Sequence, residues 1–152
     1  MRLALYQPDI PQNTGTILRL AACLGVPADI IGPTGFDMTD RSLRRAGLDY
    51  LKHVDLTRHE SFLAFQAARA RSPGRLIVLT SHAPSSHLEF VFDAADTLLL
   101  GRESAGVPET VHAAADARIR IPMQPGLRSL NIAVAAALVL GEALRQTNGF
   151  PP

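Results

Sequence analysis

The sequence predicts an α/β protein built on a mainly parallel sheet flanked by helices. Two observations lead there. Short apolar runs of strand length alternate along the chain with longer helix-like segments. No internal repeat, low-complexity tract or long linker interrupts that alternation, so residues 1–152 are expected to form one domain.

The elements follow in order. An apolar run at 3–6 precedes a helix-like segment at 17–24, and Ile30-Ile31 precedes a second at 41–46. A strand around Val54 is expected before a helix over 61–71, with Thr57 and Glu60 forming a capping-box signature ahead of it. Strand-like runs recur at 76–79, 97–100 and 119–121, and Pro108-Glu109 suits the first turn of an intervening helix. The last helix covers 132–144, with Ser129 placed to cap it. Its apolar stretch falls well short of the roughly 20 residues that span a bilayer, so it reads as a buried helix and no membrane association is expected. Ala133, Ala135, Ala136, Ala137 and Gly141 are small on every face, which suits core packing and a subunit interface equally.

In open α/β sheets ligands sit beyond the carboxyl ends of strands. Three strand-like runs end in candidate binding loops, at Leu79-Thr80-Ser81, at Leu100-Gly101 and at Ile121-Pro122-Met123. The third continues as Gln124-Pro125-Gly126-Leu127-Arg128-Ser129-Leu130-Asn131 straight into the last helix. Its prolines and glycine prevent regular structure, and the free N–H groups of a helix start suit a carboxylate or phosphate. On local pattern alone an ordinary strand-to-helix turn explains it as well. The loop Gly101-Arg102-Glu103-Ser104-Ala105-Gly106 lacks the Gly-Lys-Ser/Thr ending of a phosphate loop, and no Gly-x-Gly-x-x-Gly follows the first strand, which argues against nicotinamide binding. The five histidines show no His-x-x-x-His pair and there is no cysteine cluster, so no metal site is expected.

Together with Asn13-Thr14-Gly15-Thr16-Ile17-Leu18-Arg19, the loop Gly101 to Pro108 and the stretch Arg128-Ser129-Leu130-Asn131 form an ordered triplet of motifs. That triplet resembles the signature of the SPOUT class of RNA methyltransferases. The segments Tyr6 to Gln12 and Arg44-Arg45-Ala46-Gly47-Leu48-Asp49-Tyr50 are similar to one subfamily, the enzymes that 2′-O-methylate nucleotide 34 of the tRNA anticodon. Nearly the whole chain is covered. Two departures stand out: Gly141 replaces a tyrosine frequent before Glu142 in relatives, and Thr80-Ser81-His82 lacks a lysine some carry.

The resemblance implies a deep trefoil knot near the C-terminus, where general fold statistics favour an unknotted chain. It implies S-adenosylmethionine as methyl donor, with Leu79, Gly101, Glu103, Ile121, Met123, Ser129 and Leu130 around it. Gly101 would permit close backbone approach, and Glu103 would face the sulfonium or the ribose hydroxyls. It assigns catalysis to Arg19, with Asn13 and Asn131 orienting. A guanidinium is a poor base, so holding the acceptor phosphate is the less demanding role for Arg19. The tRNA anticodon stem-loop would be gripped by Arg41, Arg44, Arg45 and Arg128, and the active form would be a homodimer. The same reaction on another tRNA or rRNA nucleotide, and a non-catalytic RNA-binding module, are the alternatives; joint presence of Gly101, Glu103, Ser129 and Asn131 argues against the second.

A formal net charge of +1 declares nothing about nucleic acid, leaving the argument to local arginine clusters. The single cysteine, Cys23, cannot form an intrachain disulfide, and the first residues lack the basic-then-apolar pattern of a secretory signal. A cytoplasmic location is the expectation.

Overall fold

The computed structural model describes residues 1–152 apart from 40, 42, 44, 46, 47 and 72. Among the described residues seven strands form one sheet: β1 (Arg2–Tyr6), β2 (Ala28–Ile31), β3 (Leu56–His59), β4 (Leu76–Leu79), β5 (Ser85–Ser86), β6 (Thr97–Leu100) and β7 (Ala117–Arg120). Their order is β3-β2-β1-β6-β4-β7-β5, and every pairing is parallel. They are accompanied by α1 (Pro11–Leu24), α2 (Phe62–Arg69), α3 (Glu109–Ala114) and α4 (Ile132–Thr147).

Side chains alternate across the pleat, so the central strands feed two cores. Leu3, Leu5, Ile77, Leu98 and Leu100 pack with Ile17 and Leu18 of α1 and with Ala136, Val139, Leu140 and Ala143 of α4. Ala4, Tyr6, Leu76, Val78 and Leu99 pack on the opposite face with Phe65 of α2 and Val111 of α3. Cover on both sides explains why these strands read as unbroken apolar runs. The helix starts and stops have identifiable causes. Pro11 opens α1 at a position whose N–H has no partner within the helix, and Gly25 closes it with φ 65°.

Two buried carboxylates, Asp29 and Asp96, tie strand ends together. Asp29 on β2 accepts from Arg2 Nε at 2.9 Å and lies 2.7 Å from His59 Nε2, stitching β1, β2 and β3. Asp96, just before β6, is fully buried. It accepts from Arg75 Nε at 2.9 Å and Nη2 at 2.7 Å, and from the Asp93 backbone N–H at 2.8 Å.

The observed elements depart from the sequence reading at several places, the first being α1, which starts at Pro11 rather than Ile17 because Pro11 suits a first helical turn. β3 begins at Leu56 rather than near Val54, because pairing with β2 starts at Ala28 opposite Leu56. Thr57 is thereby drawn into the sheet, and the α2 cap is Ser61, whose Oγ accepts from the Ala64 N–H at 3.2 Å. The last helix is capped by Asn131, not Ser129: Asn131 Oδ1 accepts from the N–H groups of Ala133 (2.9 Å) and Val134 (3.4 Å). A 3₁₀ helix at Leu48–Lys52 packs on α1, and the two-residue edge strand β5 is too short and polar to register as a strand. Within the expected helix 41–46, residues 41, 43 and 45 are helical, with Leu43 buried between exposed Arg41 and Arg45; Arg44 lies outside the described residues.

Asp96→Ala removes a buried carboxylate that satisfies three donors. The expected loss is about 3 kcal/mol, a fall in melting temperature of about 9 °C by scanning calorimetry.

Candidate active site

The ends of β4, β6 and β7 lie side by side, and the segments leaving them enclose a cavity of about 710 Å³. Leu79, Leu100, Ile121, Met123, Leu130 and Ile132 supply its apolar lining, while Asn13, Glu103, Ser129 and Asn131 bring polar groups. The volume and the mixture of apolar wall with a few convergent polar groups are those of a site for a nucleoside-sized ligand.

Each wall is fixed by its own local cause. The loop leaving β6 closes on itself through reciprocal backbone hydrogen bonds, Arg102 N–H to Gly106 O at 2.9 Å and Gly106 N–H to Arg102 O at 2.8 Å. A Cβ on Gly101 would lie 2.6 Å from the Gly106 carbonyl carbon and 2.8 Å from its Cα. The close approach that requires glycine there is thus between the two sides of the loop itself. Beside β4, the Thr80 N–H donates to Ile119 O at 3.0 Å, which holds the end of β4 against β7.

A chain of polar contacts crosses the cavity wall. Asn131 Nδ2 donates to Asn13 Oδ1 at 3.0 Å, and Asn13 Nδ2 donates to Glu103 Oε1 at 3.3 Å. The second oxygen, Glu103 Oε2, accepts from the Asp9 backbone N–H at 3.2 Å. In return the Glu103 N–H donates to Asp9 Oδ1 at 3.1 Å, the Ser104 hydroxyl donates to Asp9 Oδ2, and Arg102 Nε stands 3.6 Å from that oxygen. The two carboxyl groups differ in acidity. A hydrogen bond from Glu103 chiefly holds Asp9 at about 2. Burial first, and the facing Asp9 second, push Glu103 above the usual carboxylate range.

Of the residues singled out in the sequence, Asn13, Leu79, Gly101, Glu103, Ile121, Met123, Ser129, Leu130 and Asn131 all line this cavity. Arg19, Arg41, Arg45 and Arg128 are exposed and do not line it. The Arg19 guanidinium is stacked 4.7 Å from the ring centroid of Tyr50. His112 also lines the cavity, and Asp9, outside that lining, bonds to the loop that carries Glu103; the sequence singles out neither. Nothing local to Asp9 signals its contacts, all made with a loop more than ninety residues away. Among the described residues no three His, Cys, Asp or Glu side chains come together as a metal site would require.

Comparison with known proteins adds an independent line. The sequence profile of the SpoU rRNA Methylase family matches residues 1–141. The chain is 62% identical to the tRNA (cytidine(34)-2'-O)-methyltransferase of Beijerinckia indica subsp. indica, over 97% of this chain and 92% of that protein. It is 42% identical to the enzyme of the same name from Escherichia coli, over 99% of this chain and 96% of that one. A solved structure described as "Structural insights into the 2-OH methylation of C/U34 on tRNA" superposes with a TM-score of 0.91 at 46% identity, covering 95% and 94% of the two chains. The SpoU methyltransferase AviRb from Streptomyces viridochromogenes, solved in complex with the cofactor AdoMet, superposes at 0.87 with 30% identity over 96% of this chain and 60% of its own.

Gly101→Ala cannot be accommodated without moving the Gly106 backbone. Amide hydrogen exchange at Arg102 and Gly106 should accelerate by about tenfold or more, while exchange in β1 and β4 stays at the wild-type rate.

Proposed function

The chain belongs to the SpoU rRNA Methylase family, and from that premise we propose that it transfers a methyl group from S-adenosylmethionine to the ribose 2′-hydroxyl of nucleotide 34 of tRNA, on cytidine, a modified uridine or both. The observation that carries this reading is the convergence of all three sequence motifs on one cavity, with Asn13, Glu103 and Asn131 joined across its wall. The names carried by relatives at 62% and 42% identity support the same nucleotide.

When bound, S-adenosylmethionine supplies a methyl group activated by its positively charged sulfonium. The chain's own residues bind and orient. Leu79, Ile121, Met123 and Leu130 cover apolar faces and exclude water, Gly101 holds its loop closed, and Ser129 offers a hydroxyl at the helix entry. Glu103 presents a carboxylate to the sulfonium or the ribose hydroxyls of the donor, and Asn13 and Asn131 fix its direction. Arg19 holds the acceptor phosphate and ribose, an arrangement that asks a guanidinium for bidentate hydrogen bonds rather than for proton removal. Arg41, Arg44, Arg45 and Arg128 extend the contact along the anticodon stem-loop. Residues 1–152 act as one domain. The late entry of β6 between β1 and β4 is consistent with the expected C-terminal trefoil knot.

The working form is a homodimer. On α4, Val134 is 50% and Leu138 48% exposed, four residues apart on one face, with Ala137 and Gly141 beside them. The helix that carries this apolar stripe packs on α1, whose Thr16, Arg19 and Cys23 are exposed. A second copy seated there covers the stripe and brings Arg19 to the subunit boundary. No helix among the described residues is long and apolar enough to cross a membrane. A tRNA substrate puts the enzyme's work in the cytoplasm.

Labelled methyl donor and undermodified total tRNA, followed by nucleotide mapping, provide the test. Label is expected at the ribose of nucleotide 34, and label elsewhere or none would overturn the assignment. Arg19→Ala should lower turnover by at least about a hundredfold while donor affinity by calorimetry stays within about twofold. Leu138→Glu places a charge in the proposed dimer contact. Light scattering should then report the monomer mass where the unaltered protein gives twice that mass.

A further inference from the structure

We infer that Asp9, on the segment between β1 and α1, is a positioning residue that holds Glu103 in the direction the methyl donor requires. This rests on the reading of Glu103 as a donor-site carboxylate given above. One carboxylate grips three consecutive residues of the loop that follows β6. It accepts from the Glu103 N–H at 3.1 Å and from the Ser104 hydroxyl, and it stands 3.6 Å from Arg102 Nε. The backbone of Asp9 acts in the opposite sense, its N–H donating to Glu103 Oε2 at 3.2 Å. With Asn13 on the other oxygen at 3.3 Å, both oxygens of Glu103 are held and its carboxylate plane is fixed.

Asp9 is itself immobilised from behind. A Cβ on Gly35 would fall 2.8 Å from the Asp9 Cβ and 2.9 Å from its Cα, and the Gly35 N–H donates to Pro8 O at 2.9 Å. The segment that leads toward Arg41 and Arg45 therefore presses on the residue that orients Glu103. A purely structural latch would need only the backbone bonds. A hydrogen bond between the Asp9 and Glu103 carboxyl groups keeps a proton on Glu103, in the same direction as burial. The other titratable or charged groups on this wall are Arg102 in the same loop, His82 beyond β4 and His112 on α3.

The sign follows. Donor binding favours ionised Glu103, so affinity falls as acid protonates it, and the fall begins above the usual carboxylate range. Removing the Asp9 charge lets Glu103 stay ionised to lower pH. Binding of S-adenosylmethionine and of S-adenosylhomocysteine to the full-length chain is measured by calorimetry across the acid range, for wild type, Asp9→Asn, Asp9→Ala and Glu103→Gln. In Asp9→Asn, which keeps one acceptor oxygen, the acid limb should move down by about one pH unit. In Asp9→Ala affinity near neutral pH should fall about tenfold, with the melting temperature lowered by no more than about 3 °C. Loss of the limb in Glu103→Gln together with an unmoved limb in Asp9→Asn overturns the role given to Asp9 and leaves the donor site standing. A wild-type limb in Glu103→Gln removes Glu103 from the donor site and overturns the inference at its premise. Should Asp9→Ala fail to fold, the Asp9→Asn curve alone decides.

Discussion

A sheet covered on both faces gives its chain few places to do polar chemistry, and every other feature of this molecule follows from that constraint. The central strands, flanked by α1 and α4 on one side and by α2 and α3 on the other, are apolar from Leu3 to Tyr6, from Leu76 to Leu79 and from Leu98 to Leu100. Hydrogen-bonding side chains are left to the strand ends. Because β6, β4 and β7 are neighbours in the sheet, three ends pool their outgoing segments into one rim, and the segment after β1 adds Asn13 to it and Asp9 behind the Glu103 loop.

The distribution of charge obeys the same geometry. Glu103 lines the cavity beside Arg102, with Asp9 bonded to the same loop, whereas Arg19, Arg41, Arg45 and Arg128 lie on the outer surface. A net charge of +1 conceals this division, since it sums two populations that occupy different places. The inner group suits a small cationic ligand and the outer group a polyanion. Each can be attracted without the other being repelled at short range. The inner groups are already hydrogen-bonded to one another, so little reorganisation accompanies binding.

Much of this was legible in the residues. The runs at 76–79 and 98–100 are apolar because both of their faces are buried, and β4 and β6 occupy those residues. Leu79, Gly101 and Ile121 could be read as cavity residues because they end or directly follow such runs. What stayed illegible depends on partners distant in sequence. Ser129 and Asn131 are both competent helix caps, and only the backbone at Asn131, with φ −55° and ψ 136°, decides between them. Thr57 and Glu60 have the spacing of a capping box, but pairing across to Asp29 claims Thr57 for the sheet. The stack of Arg19 on Tyr50 joins α1 to a 3₁₀ helix for which no periodic pattern exists. Asp9 meets Glu103 across 94 positions of chain, where local pattern carries no information.

The place of β6 in the sheet bears on how the molecule comes to exist. Synthesis delivers β1 and β4 well before residues 97–100, yet those two strands bond to β6 and not to each other. The strand that joins the two sides of the sheet is therefore absent while β3-β2-β1 and β4 are already made, and β1 and β4 keep unsatisfied edges until it arrives. Closing the rim then waits on Asn131, which must find Asn13 across 118 positions. Contacts so distant incur their loop-closure entropy before any contact energy is returned, so assembly should be slow relative to helical proteins of this length. Truncating the chain just before residue 131 leaves all seven strands but takes Asn131 and α4 out of the rim, so ligand-binding competence is in this sense a reading of whether the last helix has docked.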